Sequence, residues 1–309
     1  MSTSGTANFT LDFTEIAEEA WERAGLQMRS GYDLRTTRRS MNLMTVEWQN
    51  RGINMWTIEQ GTIPLTPGLN TYALPLDTID LMEHVIRTGA GSASTQADLT
   101  ITRISVSTYA TIPNKLAPGR PIQIWIQRLS GVASPTDITL NGAIDSTTTT
   151  ITLSSTVGLP SAGFIRIGTE DIAYGFVDGN SLGGVFRGQN NTTAASHANG
   201  AAIVNPNLPC VTLWLTPDNS QSYQLIYYRL RRVQDAGSGI QTADMNFRFL
   251  PVVVAGLAYY IAMKKPELAD RIQMLKQAYE EQFDLAAGED REKAAIRLVP
   301  RRGFIGSGM

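Results

Sequence analysis

Few side chains in this sequence could carry out nucleophilic, acid–base or metal chemistry. It has two histidines, His84 and His197, and one cysteine, Cys210. A zinc site needs several histidine or thiolate ligands at short spacings, and these three residues are far apart in the sequence. Each histidine lies in a predicted β-region, where a surface or turn position is more common than a place in a Ser-His-Asp triad. We therefore predict no catalytic residue, no metal site and no cofactor.

Two adjacent acids, Glu170 and Asp171, occur in the segment GTEDIAYG. Successive side chains of a strand point to opposite faces, so these carboxylates cannot act together as a glycosidase pair. We expect them to lie at a solvated edge of a sheet. A hydrolase that acts through Glu170, Asp171 or His197 remains the alternative. The nearby glycine-rich segment GNSLGGVFRGQN is predicted to form turns, because no phosphate-binding GK[ST] follows it.

A basic cluster, Arg35, Arg38 and Arg39, lies at one end of a predicted helix. It is either a solvated helix face or a surface that contacts an acidic neighbouring subunit or DNA phosphates. The C-terminal segment GEDREKAAIRLVPRRGFIGSGM mixes basic with apolar residues, as an arm that folds onto a partner would. The residues of this predicted arm are Arg291, Lys293, Ile296, Arg297, Leu298, Val299, Arg301, Arg302, Phe304 and Ile305.

The composition is that of a folded protein without a strong overall charge. Hydrophobic residues make up 42% of the chain, charged residues 17%, and the formal net charge is −2, so no global field attracts nucleic acid or a membrane. The longest apolar stretch, residues 249–263, is shorter than the roughly 20 residues that cross a bilayer. It is predicted to be a buried helix, and no membrane contact is expected. Cys210 is predicted to be a small buried residue in a strand, and a single cysteine suits a reducing cytoplasm.

Helical periodicity and end signals predict four helices. Asp12 and Glu15 have the spacing of a capping box, and a helix is expected from Asp12 to Ala24. The other three are predicted over residues 34–49, 244–264 and 266–287.

The middle of the chain has the pattern of strands separated by Pro and Gly turns. Residues 56–126 are predicted to form strands, including one with Ile122, Ile124 and Ile126 on a buried face. Residues 129–207 are rich in glycine and contain no lysine, which indicates a separate, folded β module. Strand patterns resume after it. The strands on both sides are therefore expected to belong to one sheet, with the module beginning and ending at neighbouring points.

The order of several segments resembles a known family. They are SMNLMTVEWQNRGINMW, TYALP, RPIQIWIQR, LWLTPDNSQSYQLIYYRLRRVQDAG, FLPVVVAGLAYYIAMKKPE and DREKAAIRLVPR. Together they resemble the head-to-tail adaptors of short-tailed bacteriophages, of the tail tubular protein A type. The resemblance covers residues 10–128 and 208–302. The segment 129–207 departs from it, because compact adaptors lack such an insert.

The resemblance implies a structural protein, not an enzyme. It implies a dodecameric ring that docks beneath the portal protein and connects it to the tail, with a central channel through which DNA passes without sequence-specific binding. The C-terminal arm would grip the portal, and tail nozzle or tail fibre proteins would contact the other side. The location would be the neck of the virion, after assembly in the host cytoplasm.

The fold implied is α+β, with a helical bundle from the N- and C-terminal helices, an antiparallel β-platform and an inserted small all-β module. The expected domains are 1–55 (bundle), 56–128 (platform), 129–207 (insert), 208–243 (platform), 244–288 (bundle) and 289–309 (arm). An alternative function is a carbohydrate- or receptor-binding tail protein that acts through the insert. Against it, the aromatic residues Phe164, Tyr174, Phe176 and Phe186 of the insert alternate like core residues.

Overall fold

The computed structural model describes residues 5, 11–237 and 240–290. Over these ranges the fold is mixed, with α-helices and several antiparallel sheets, which confirms the α+β class. The chain divides into a helical unit, up to Trp56 and from Val233 onward, and a β unit over Thr57–Arg232. The helices are α1 (Phe13–Ala24), α2 (Gly31–Asn50), α3 (Val106–Thr111), α4 (Leu250–Ala262) and α5 (Ile272–Glu289).

Helix α1 begins as its sequence predicts. The Asp12 carboxylate accepts a hydrogen bond from the backbone N–H of Glu15 (2.8 Å), and the Glu15 carboxylate accepts one from the Asp12 N–H (2.9 Å). This capping box satisfies two N–H groups that a helix start leaves without partners. Its predicted apolar face, which includes Trp21, is buried. Helix α2 begins earlier than predicted, because the Ser30 side chain caps its first turn.

Helix α4 is the centre of the helical unit. Almost every side chain from Val252 to Leu257 is buried, because α1, α2 and α5 all pack against this helix. The predicted start at Asp244 is wrong, since Asn246 caps a separate 3₁₀ turn and α4 follows it. The predicted α-helical start at Pro266 is also wrong. Residues 266–271 form a 3₁₀ turn, and α5 begins after it.

The β unit contains two four-stranded sheets that mix strands from before and after residues 129–207. Their strands are β1 (Ile58–Pro64), β2 (Thr71–Ala73), β3 (Thr78–Thr88), β4 (Ala97–Thr100), β5 (Thr102–Arg103), β6 (Gln123–Gln127), β15 (Cys210–Trp214) and β16 (Tyr223–Arg231). One sheet has the order β1-β16-β3-β4 and the other β2-β15-β6-β5. The expected single sheet is thus two sheets. Helix α3 also interrupts the predicted run of strands, because Ser105 caps it.

Residues 129–207 fold into strands with a core of their own. These are β7 (Ser134–Thr139), β8 (Ile151–Thr152), β9 (Gly163–Ile167), β10 (Glu170–Tyr174), β11 (Phe176–Asp178), β12 (Ser181–Gly183), β13 (Phe186–Gln189) and β14 (Ala202–Asn205). They form sheets of order β13-β10-β9-β14-β7 and β11-β12-β8. Because Gln127 pairs with Cys210 across β6 and β15, the segment begins and ends at neighbouring points, as predicted.

Residues 129–207 nevertheless pack against the rest of the β unit. Phe164 of β9 and Ala173 of β10 belong to the hydrophobic core of the two four-stranded sheets, and Phe186 packs against that core. A side chain shared between two cores loses its burial if either part is removed. Residues 129–207 are therefore continuous with the β unit.

Candidate functional site

The densest polar cluster of the described chain surrounds the carboxylate of Glu170 on β10. Arg187 of β13 donates to it through Nε (2.7 Å) and Nη2 (2.8 Å), and His197 Nε2 lies 2.8 Å from Oε2. The backbone N–H groups of Gly188 and Ala195 donate to it as well, each over 3.0 Å. Burial by itself would raise the pKa of Glu170, but these hydrogen bonds lower the pKa to about 2.

The neighbouring carboxylate, Asp171, has a separate set of partners. Arg166, directly opposite it on β9, donates through Nε (2.6 Å) and Nη2 (3.0 Å) in a bidentate pair. The side-chain amide of Asn190 adds a third donor at 3.2 Å. Glu170 and Asp171 are only 1% and 2% exposed. The prediction of a solvated edge is therefore wrong, because each acid has its own arginine on an adjacent strand.

These ion pairs stabilise the fold, and they leave Glu170 little capacity for acid–base catalysis. A general base must accept a proton near neutral pH, and a carboxylate with a pKa of about 2 remains ionised there. Arg187 also donates to the carbonyl oxygens of Asp145 and Ala195. The pair thus ties the loop after β13 to the strand that carries Glu170. Sequence reasoning missed Arg166 and Arg187, although they are the two arginines of residues 129–207.

A G-x-S-x-G pattern occurs at Gly179–Gly183, with Ser181 at its centre. In hydrolases this motif forms a tight turn between a strand and a helix, which exposes the serine oxygen. Here Ser181 lies on β12, its hydroxyl is 3.3 Å from that of Thr152, and a strand follows. The local fold does not present Ser181 as a nucleophile.

An open cavity of about 600 Å³ lies next to the Arg166–Asp171 pair. Asn190 and Asn191, both in the left-handed region with φ of 55° and 61°, line it on the polar side. Its remaining lining is Thr62, Ile63, Ala73, Leu74, Pro75, Leu76, Leu208 and Tyr227. Left-handed backbone at a non-glycine residue is uncommon and costs free energy. The sequence motifs did not indicate this cavity.

A second groove lies near Phe176, which is 41% exposed. This aromatic ring therefore does not belong to the core, contrary to the prediction from its alternation with Phe164 and Tyr174. The other two rings are buried.

The predicted basic cluster lies on the outer side of α2. Arg35 and Arg39 are exposed, whereas Arg38 is half-buried and donates from Nη1 to the carbonyl oxygen of Gly237 (3.0 Å). Together with Tyr32 the three arginines line a surface depression of about 340 Å³. No carboxylate of the described ranges pairs with Arg35 or Arg39. Arg39 Nη2 donates to the Thr36 hydroxyl (3.3 Å), and the remaining donors of these two exposed guanidinium groups are left for an external partner.

Exposed apolar residues extend this surface along α2. Tyr32, Arg35, Arg39, Leu43 and Val46 recur every three or four residues and are all exposed, Leu43 to 65%. With 3.6 residues per turn they form one stripe on the helix. Exposed apolar residues in a row are typical of a protein-binding surface.

The arm residues predicted from the sequence, 291–309, lie outside the described residues. Of the segment assigned to the arm, Glu289 is the last residue of α5. The Asp290 carboxylate accepts hydrogen bonds from the backbone N–H groups of Asn54 (2.7 Å) and Met55 (3.0 Å). The chain is thus anchored in the helical unit up to the start of the basic segment.

Comparisons with known proteins give no assignment. The chain matches no protein-family model, and its sequence matches no curated protein. Over the described ranges, no three or more His, Cys, Asp or Glu side chains are grouped so that they could bind a metal ion. None of the described helices is both long and apolar enough to cross a bilayer.

Proposed function

We propose that this protein is a structural virion component, a head-to-tail adaptor that forms a ring beneath the portal and connects it to the tail. In this proposal the helical unit is the bundle of the adaptor, the two four-stranded sheets are its β-platform, and residues 129–207 are an added β module. The ring encloses a channel through which DNA passes without sequence-specific binding. The protein assembles in the host cytoplasm and stays in the neck of the virion.

The observation that carries this proposal is the exposed stripe on α2. Leu43 and Val46 would lose contact with water in an assembly, and burial of apolar area is the main favourable term in association. In the β unit, the carboxylates of Glu170 and Asp171 already form ion pairs with Arg187 and Arg166. The exposed stripe of α2, by contrast, has the composition of an assembly surface. The order of the resembling motifs supports the adaptor assignment independently of this surface.

The proposal assigns the portal contact to the C-terminal arm. Residues 291–309 carry Lys293, Arg297, Arg301 and Arg302 among apolar side chains such as Phe304. A segment of this composition gains buried area and ion pairs when it folds onto an acidic, partly apolar surface. The arm begins beside Asp290, which the helical unit holds in place.

The test is to mix the purified chain with the portal protein of the same genome and to measure the mass of the complex. We expect a ring with one adaptor per portal subunit. Deletion of residues 291–309 should abolish docking and leave the circular dichroism spectrum of the folded body unchanged. A matched control is Val157→Ser, because Val157 is an exposed residue of the β unit. A chain that stays monomeric beside its portal, with its arm intact, overturns the proposal.

A second candidate function, carbohydrate binding, is favoured by the cavity beside Asp171. Sugars present hydroxyl groups, which pair with amide and carboxylate groups, and apolar ring faces, which pack on side chains such as Leu74 and Tyr227. Binding of the full chain to a glycan array, lost in Asn191→Ala, would support this function. The full chain is required because residues 129–207 share the core that contains Phe164. Array binding that Asn191→Ala leaves unchanged would exclude this cavity as the site.

A further inference from the structure

Two outward helix faces of the helical unit carry opposite charges. On α2 the exposed stripe contains Arg35 and Arg39, followed by Leu43 and Val46. On α5 the exposed residues Met274, Ala278, Glu281 and Leu285 are spaced by four, three and four positions, and they form a second stripe. Asp284, also exposed, lies beside Leu285. One face is therefore basic and apolar, and the other acidic and apolar.

Of the acids of α5, Glu280 pairs with Arg51 and Glu289 with Arg248, whereas no Lys or Arg of the described ranges pairs with Glu281 or Asp284. Glu281 accepts a hydrogen bond at Oε1 from the side-chain amide of Gln277 (2.9 Å). The exposed lysine of this helix, Lys276, is five positions from Glu281, which places it about 140° around the helix axis. Glu281 is thus exposed on the same side of the helix as Met274 and Leu285, whereas Asp284 is exposed about 100° around the helix axis from Leu285.

The two stripes match in register when the helices run antiparallel. Val46 and Arg39 are seven positions apart, and so are Met274 and Glu281. If Val46 lies opposite Met274, then Arg39 lies opposite Glu281. Arg35 then lies opposite Leu285, with Asp284 one position away, and Leu43 lies opposite Gln277, with Ala278 one position away. This register joins one apolar pair, Val46 with Met274, and one ion pair, Arg39 with Glu281.

We infer that the outward face of α2 in one copy of this chain docks on the outward face of α5 in the next copy. The inference deepens the proposed function, because it names the contact between neighbouring copies of the ring. The two faces differ, so the contact is head-to-tail, and contacts of this kind form a ring when the rotation between neighbouring copies closes.

The same surface fits nucleic acid less well. Phosphate binding would use Arg35 and Arg39, but Leu43 and Val46 would gain nothing from a polar, hydrated backbone. The exposed acids of α5 would repel it. A protein helix with acidic and apolar residues satisfies the whole stripe, and such a helix exists in the same chain.

The experiment uses charge reversal and mixing of the full chain, alone and with the portal protein of the same genome. Arg39→Glu and Glu281→Arg should each weaken self-association by more than about tenfold, because like charges then face each other. A one-to-one mixture of the two variants should restore it, since each reversed face meets its complement in the other variant. Lys276→Glu, on a different side of α5, should have no effect.

Cross-linking gives a second, independent readout. Val46→Cys and Met274→Cys, introduced together, should form disulfides between copies and give a ladder of multimers under oxidation. The native thiol, Cys210, is buried and should stay out of this reaction. Cross-links within one copy would give no ladder and would overturn the pairing.

The remaining outcomes also decide the question. Portal-bound rings that form equally well in both reversal variants overturn the inference and leave the proposed function intact. A ladder without portal binding supports the inference and overturns the adaptor function. Loss in only one variant would assign that face to another occupant, such as residues 291–309 or DNA, and would overturn the pairing. An equal loss of self-association in Lys276→Glu would also overturn the pairing. The same holds for a wild-type chain that never self-associates.

Discussion

The indole N–H of Trp48 donates a hydrogen bond to the hydroxyl oxygen of Tyr279 over 2.9 Å, and both side chains are buried. The two residues are 231 positions apart, on α2 and α5. Burial raises the pKa of Tyr279 to about 12, so its hydroxyl keeps its proton at neutral pH. This contact joins α2 and α5 in one core, so stability measurements on it report on the helical unit.

Removal of the acceptor in this pair should destabilise the helical unit. Tyr279→Phe leaves the Trp48 indole N–H buried without a partner, which costs about 1–3 kcal/mol. Urea unfolding followed by circular dichroism should show a lower midpoint with an unchanged slope. Tyr259→Phe is the control, because Tyr259 stacks on the same ring and is less buried. Equal midpoints for Tyr279→Phe and the wild type would contradict the structure.

A methyl group at Gly256 of α4 should not fit. The added Cβ would press against Met44 Sδ and lie 2.9 Å from Tyr279 Cε2. Overpacking of this kind costs about 1–3 kcal/mol, more than the gain of about 1 kcal/mol in helix propensity. Thermal unfolding should show a lower Tm for Gly256→Ala. The control is Gly288→Ala in α5, where the added Cβ meets nothing within 4 Å. A Tm that rises equally in both variants would contradict the close packing.

The loss of stability of the β unit at low pH should depend on the protonation of Glu170. Its folded pKa of about 2 lies below the ordinary value of 4.5, so its contribution to stability is complete above pH 4.5 and is lost as the pH falls toward 2. Glu170→Gln should reduce the free energy of unfolding at pH 7 by about 3–5 kcal/mol, because Arg187 is left buried without its counterion.

The measurement is chemical unfolding at pH 7, 4.5, 3 and 2. The loss of stability between pH 4.5 and 2 should be smaller in Glu170→Gln than in the wild type. Asp178→Asn, at an exposed carboxylate of the same segment, serves as the control. Identical pH profiles in Glu170→Gln and the wild type would show that Glu170 does not carry the effect.

The thiol of Cys210 should be inert in the folded protein. It lies in β15, and burial raises its pKa to about 12, so hardly any reactive thiolate forms at pH 8. A thiol reagent such as DTNB should react with the wild type only after unfolding. Val157→Cys, at a position that is 86% exposed, should add one thiol that reacts at once. Rapid reaction of the native wild type would mean that β15 opens easily.

Features with a short range along the chain could be predicted from the sequence. The capping box of Asp12 and Glu15 and the buried face with Trp21 depend on residues three or four positions apart, and both are confirmed. The stripe of α2 follows from the same period. The sequence alone did not predict which side of α2 is exposed, because Leu43 and Met44 are both apolar. Packing against α4 buries Met44 and leaves Leu43 exposed.

Features that depend on strand pairing were decided by the tertiary structure. Glu170 and Asp171 look like solvated acids in the sequence, and they are buried because Arg187 and Arg166 reach them from adjacent strands. The division into two sheets and the cavity beside Asn191 have the same origin. A helix cap is set by neighbours in sequence, whereas the partner of a strand residue is set by register between distant segments. The sequence by itself therefore determined the α+β class and the approximate places of α1, α2, α4 and α5, whereas α3 was missed. Only the folded chain determined which charges are paired inside and which remain for a partner.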